Sequence, residues 1–201
     1  LNIFRQMPKQ SAIHRYQTII QPENAIEHQI IQHPEWQEGV SWGKPRKGHP
    51  EGQVILHIRE VLDNVDRLHI PAKDREKLRW ITLIHDSFKF KEEFGFPRDW
   101  TKHHAVFARQ FAEQIIQDPI VLDIIELHDE AYYAWRAQAR FALWNSSAKR
   151  LEHLENRIGN DLYLFYWFFV CDTQTGNKTQ EPIRWFERQY PHLEPIPWNQ
   201  V

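Results

Sequence analysis

Val54-Ile55-Leu56-His57-Ile58-Arg59-Glu60-Val61-Leu62-Asp63-Asn64-Val65-Asp66-Arg67-Leu68 is the stretch on which the fold turns. Val54, Ile58, Val61, Val65 and Leu68 recur at steps of four and three, the period of one helix face, and Pro71 stops the run. The same period continues downstream. A second helix is expected over about 74–88, with Leu78, Ile81 and Ile84 facing inward. Thr101 can cap a third, in which His104, Ala108, Phe111 and Ile115 share a stripe. Asp118 as N-cap and Pro119 at the first helical position open a fourth, with Val121, Ile124, Ile125 and His128 on one face. A last pair covers about 148–158 and 161–173. No alternating strand pattern survives this period, so the spacing predicts an all-α fold.

Working outward, the helical run defines a core domain over 51–175. Residues 1–50 mix a short helical stretch, Glu23 to Gln32, with Pro8, Pro22, Pro34, Pro45 and Pro50 and the isolated Trp36 and Trp42, which predicts an extended N-terminal arm packed on the core. Residues 176–201 form a Pro/Trp-rich C-terminal tail, with a short helix near Ile183 to Tyr190 ended by Pro191, Pro195 and Pro197. The chain has 201 residues, 41% of them apolar, enough for one real core.

Charge and cysteine usage exclude several classes. With 25 Lys+Arg against 27 Asp+Glu, the formal charge of −2 provides no field for general nucleic-acid binding. The longest apolar run, Leu162 to Cys171, falls short of the ~18 residues of a membrane span. Leu1 to Gln6 lack the apolar block of a secretory signal, and an opening Leu1 rather than Met leaves room for residues upstream. One cysteine, Cys171, cannot form an intrachain disulfide; inside an apolar run it is read as a structural thiol, and a reducing cytoplasm is the expected compartment.

Twelve histidines remain to be explained. A His-Asp doublet means little alone, since His85-Asp86 and His128-Asp129 both occur. Placement says more: His57, His85, His104, His128 and Asp172 each fall near the inward face of a different predicted helix. Singly, each reads as a satisfied core side chain or a helix-end carboxylate. Together they are five polar groups that need partners, and a shared cation would satisfy several at once. Imidazole with carboxylate suits Fe, Mn, Ni or Zn better than Ca or Mg.

His57, then His85-Asp86 28 residues on, then Asp172 on an aromatic-rich helix resembles the HD superfamily of metal-dependent phosphohydrolases, whose ligand pattern is H…HD…D. Ile81-Thr82-Leu83-Ile84-His85-Asp86-Ser87-Phe88-Lys89 is similar to its apolar run followed by H-D-x-G-K, with Phe88 where Gly is common. Phe169-Val170-Cys171-Asp172 is similar to the stretch ending in its last Asp, here followed by Thr173 rather than Arg or Lys. The resemblance spans about 49–175 and implies an HD-domain-like helical bundle in which His57, His85, Asp86 and Asp172 hold one metal. His104 and His128 match, by order and spacing, two histidines that hold a second metal bridged by the doublet Asp. His104 is preferred to His103 because it shares the stripe of Ala108 and Phe111. A rival doublet, His128-Asp129, lacks the following Lys and leaves His57 without a partner.

That ligand set implies one or two transition-metal ions (Fe, Mn, Co, Ni or Zn). Hydrolysis of a small phosphate ester, a nucleotide in the first instance, would follow from attack by metal-acidified water. Asp86 and Lys89 are then the expected catalytic residues, Lys89 either contacting phosphate or simply solvated beside Lys91. Arg46, Lys47 and His49 form either a loop over the site mouth or a solvated one. Tyr132 and Arg136 are candidates to stack a base and pair a phosphate, the alternative being that Tyr132, Trp135 and Phe141 pack the core while Arg136, Arg140, Lys149 and Arg150 face solvent. The same six ligands also serve di-iron oxygenases resembling this superfamily, and a non-catalytic nucleotide- or protein-binding domain is a third reading. Homo-oligomerisation is left open.

Overall fold

Three helices precede the first one expected in the core: α1 (Lys9–Ile20), α2 (Ala25–Gln32) and α3 (Pro34–Val40). The computed structural model describes residues 9–196, with side chains from residue 13 onward. Leu1 to Gln6, Pro8 and the Pro197-Trp198 end of the tail lie outside the described residues. The short helical stretch expected at Glu23 to Gln32 is α2, and the extended course expected around it is corrected to helix at α1 and α3. Pro22 falls between α1 and α2, and Pro34 occupies the first turn of α3, where the missing N–H costs nothing. Asn24 caps α2 by accepting from Glu27 N at 3.0 Å.

These helices belong to the core. Ile20, Ile30, Ile31, Trp36 and Val40 are buried. Glu27 of α2 is wholly buried and holds Arg79 in a two-pronged pair, accepting from Nε at 2.8 Å and Nη2 at 2.9 Å. Trp36 Nε1 donates to Leu83 O at 2.7 Å.

α4 (Val54–Asp66) and α5 (Ala72–Ile84) follow, packed against each other. α5 ends four residues before the expected 88 because its last turn tightens: Ser87 N donates to Ile84 O and Lys89 N to Asp86 O, both i to i+3. His85 thus sits at the helix end and Asp86 in the turn beyond it. α3 approaches that turn so closely that a Cβ on Gly39 would lie 1.6 Å from Ser87 O. α6 (His104–Ala112) is capped by His103, whose Nδ1 accepts from Ala105 N at 3.2 Å; Thr101, the expected cap, lies in a preceding 3₁₀ turn capped by Asp99.

α7 (Pro119–Leu127) opens as expected, Asp118 accepting from Ile120 N at 3.0 Å and Val121 N at 3.3 Å. α8 (Glu130–Phe141), for which no amphipathic run was read, buries Ala131, Ala134 and Trp135. α9 (Trp144–Ile158) begins ahead of the expected 148. α10 (Leu162–Thr173) is buried over most of its length, Cys171 included, and burial raises the thiol pKa as expected for a structural cysteine. α11 (Glu181–Gln189) packs Phe186 onto the rings of Phe165, Phe169 and Tyr190. Asn64 Nδ2 of α4 donates to Cys171 O at 2.9 Å and Gln174 O at 3.0 Å, which fixes the C-terminal end of α10 beside α4. The fold is all-α: among the described residues the β pairing is confined to an isolated bridge between Arg46 and His49. No helix among them is long and apolar enough to cross a membrane.

Candidate metal centre

α4, the end of α5 and the end of α10 bring four side chains to one point. His57 Nε2 lies 2.9 Å from Asp172 Oδ1 and 3.5 Å from Asp86 Oδ2; His85 Nε2 lies 3.5 Å from Asp86 Oδ2 and 3.9 Å from Asp172 Oδ1. The other oxygen of Asp86 faces a second pair, Oδ1 lying 3.3 Å from His104 Nε2 and 3.5 Å from His128 Nε2, with the two imidazoles 3.2 Å apart. All six expected ligands therefore converge, with Asp86 in the middle.

The imidazoles are oriented from behind. His85 Nδ1 lies 2.9 Å from Thr82 O, His128 Nδ1 2.8 Å from Ile125 O, and His104 Nδ1 2.9 Å from Glu92 Oε2. Each acceptor holds a ring proton on Nδ1, so that Nε2 is the nitrogen aimed at the cluster. His57 is the exception, its Nδ1 3.7 Å from Glu51 Oε1. Both nitrogens of His57, and Nε2 of His85, are buried without a hydrogen bond. A buried nitrogen left so costs about 1–3 kcal/mol, and a cation between the two Nε2 atoms would answer for both of those. Such donor sets fit a metal: His57, His85 and Asp86, and again Asp86, His104 and His128, place one donor atom each within 4.8 Å of one another.

The electrostatics agree with ionised carboxylates and a neutral His85 at the first set. Burial pushes Asp86 up, yet the Lys89 ammonium and the surrounding imidazoles hold it well below the carboxylate range. Burial likewise opposes Asp172, which Lys178 and His57 hold well down. Burial drives His85 down to about 3. His128 shifts the other way: burial opposes its charge, but Asp129 and Asp86 raise it to about 9.

Beside the cluster opens a cavity of about 490 Å³ that Asp86, His128 and Asp172 line together with Lys47, His49, Lys89, Tyr132, Arg140, Phe169 and Lys178. Tyr132 and Lys89 thus stand where expected, and Lys47 and His49 do border the cavity. Arg136 does not; its guanidinium lies 5.6 Å over the Phe141 ring, and Arg140 lines the wall instead. Asp129 also borders the cavity, its Oδ2 3.6 Å from His104 and from His128, so the rival doublet contributes its carboxylate to the surroundings. Glu92, Glu51 and Lys178 were missed. Each lies in a segment between helices, where no periodicity marks inward residues.

Comparison with family models matches the HD domain over residues 52–158, more than half of the 201-residue chain, and the chain belongs to that family. Neither the curated proteins nor the solved structures contain a match.

Proposed function

We propose, from membership of the HD domain family and the geometry of its cluster, that this protein is a metal-dependent phosphohydrolase acting on a small phosphate ester, a nucleotide in the first instance. The observation that carries the reading is the division of Asp86, one oxygen toward His57 and His85, the other toward His104 and His128. His57, His85, Asp86 and Asp172 would hold one transition-metal ion, and Asp86, His104 and His128 a second, drawn from Fe, Mn, Co, Ni or Zn. When bound, such an ion acidifies a water to serve as nucleophile and offsets charge on the phosphoryl oxygens.

The chain's own groups supply the rest. Thr82 O, Ile125 O and Glu92 hold three imidazoles in the tautomer that presents Nε2. Lys89, whose ammonium is bonded to Asp86 and which borders the cavity, is placed to pair a phosphoryl oxygen. Tyr132 and Phe169 offer apolar faces on the wall where Lys47 and Arg140 offer charge, a combination suited to a base and its phosphates.

The test is metal analysis of the purified protein with turnover of a panel of nucleotides and simpler phosphate esters, before and after exhaustive chelation. Hydrolysis should disappear with the metal and return with Mn²⁺, Co²⁺ or Fe²⁺. Hydrolysis that survives chelation would refute the reading. Two bound irons with O₂ consumption and no phosphate release would replace it with an oxygenase.

A further inference from the structure

Two lysines reach the cluster, from different segments that line the cavity. Lys89, just past the end of α5, is bonded to Asp86 Oδ2, the oxygen that also faces His57 and His85. Lys178, in the segment between α10 and α11, donates to Asp172 Oδ1 and to Asp172 O, each at 3.0 Å. That Oδ1 is the same oxygen 2.9 Å from His57 Nε2. Each ammonium therefore sits on the carboxylate oxygen that the histidines also converge on, and both line the cavity. His49, which lines the same cavity, has its pKa lowered by burial and next by the charges of Lys178 and Lys89.

Lys178 is also held in place, unlike a surface lysine. Its carbonyl accepts from Gln180 Nε2 at 3.1 Å, and the same amide donates to Thr173 O at 3.1 Å. Two residues before it, Gly176 takes a positive φ of 55° and packs so close to the preceding loop that a Cβ there would lie 2.8 Å from Gly48 O. Asn177 accepts from Gly48 N at 2.7 Å. The segment carrying Lys178 is thus clasped to the loop carrying Lys47 and His49 across the cavity rim.

We propose that Lys178, paired with Lys89, grips the phosphoryl group of the substrate, each lysine resting on a ligand carboxylate, Asp172 or Asp86, until a cation takes that oxygen. The proposal rests on the phosphohydrolase reading and extends it to a residue outside the matched family segment 52–158. An ammonium and a metal compete for Asp172 Oδ1, so the lysine opposes metal entry and, once displaced by about a bond length, presents its protons to the anion that the metal attracts. Lysine removal should consequently move two affinities in opposite directions.

The experiment uses the full chain and two probes, Mn²⁺ alone and inorganic phosphate. Lys178→Gln and Lys178→Met should bind Mn²⁺ about threefold or more tighter than the parent, since the competing charge is gone. The Mn²⁺-loaded variants should bind phosphate about tenfold or more weaker, with Lys178→Arg restoring most of it. Unchanged phosphate affinity in a parent that binds both probes would overturn the lysine assignment alone. So would weakened Mn²⁺ binding, or failure of both uncharged variants to fold, either of which would make Lys178 structural. A parent that binds none of Mn²⁺, Fe²⁺, Co²⁺, Ni²⁺ and Zn²⁺ would overturn the phosphohydrolase reading and this inference with it.

Discussion

Glu92 Oε2 and His104 Nδ1 are 2.9 Å apart, and that bond turns His104 Nε2 to within 3.3 Å of Asp86. The carboxylate lies in the segment between α5 and α6 and the imidazole at the start of α6, so a side chain that is not itself an expected ligand aims one imidazole of the second pair. Glu92→Gln should lower affinity for the second metal by about 10–100-fold and leave the first in place. Metal stoichiometry by elemental analysis after dialysis checks this; loss of both ions together would show that the two sites are not separable.

Asp86 and Lys89 should part company on substitution. Asp86→Ala removes the carboxylate shared by both ligand sets and should abolish metal retention and turnover together. Lys89→Ala should retain the metal while turnover falls by about 10-fold or more, because the lost bond is charge-assisted. Elemental analysis beside steady-state kinetics reads both, and a metal-free Lys89→Ala protein would contradict the assignment.

Gly39→Ala should damage the site from a distance. The added Cβ would fall 1.6 Å from Ser87 O, a backbone atom in the turn that carries Asp86, so α3 or the turn must shift. The expected loss is about 1–3 kcal/mol or more in urea unfolding, with reduced metal affinity. Wild-type stability would mean that α3 does not dock as described.

Glu27→Ala should cost about 1–3 kcal/mol, because it removes the buried two-pronged partner of the Arg79 guanidinium, whose remaining carboxylate partners are the more exposed Glu23 at 3.1 Å and Asp66 at 3.5 Å. The double replacement Glu27→Met with Arg79→Leu should recover most of that loss, since no buried charge is left unpaired. Denaturant unfolding of the three variants measures the difference.

Asp118 should leave a signature in acid. Burial pushes its carboxyl up, but Lys77, 2.8 Å away, and the N–H groups at the start of α7 hold it below its ordinary 3.8. The folded state thus binds the proton more weakly than the unfolded one. Its contribution is complete above the unfolded pKa and fades as pH falls through the depressed folded value. Asp118→Asn should keep the cap and flatten that part of the stability profile below about pH 4. An unchanged acid slope would show the Lys77 pair to be inert.

The all-α fold and the six convergent ligands were legible in the linear chain because both depend on local periodicity. A side chain at steps of three and four from Val54, Ile81, Ala108, Val121 or Phe168 lies on the same helix face as that core residue. His57, His85, His104, His128 and Asp172 follow from that rule, and resemblance joined them with Asp86 into one set. Local propensity failed where partners decide. Outside the helical stretch read at Glu23 to Gln32, residues 9–40 look broken by proline, yet form α1 and α3 because Tyr16, Ile20, Trp36 and Val40 find the core, a gain invisible within the segment. His103 took the cap expected of Thr101. Arg140 rather than Arg136 reached the cavity because Arg136 found Phe141 to stack on. Glu92, Glu51 and Lys178 lie in segments without a period, so only the close approach of distant backbone, as between Gly48 and Asn177, could bring them to the cluster. Sequence determined which faces are buried; tertiary packing alone decided which groups stand behind the ligands and which charges stand in front.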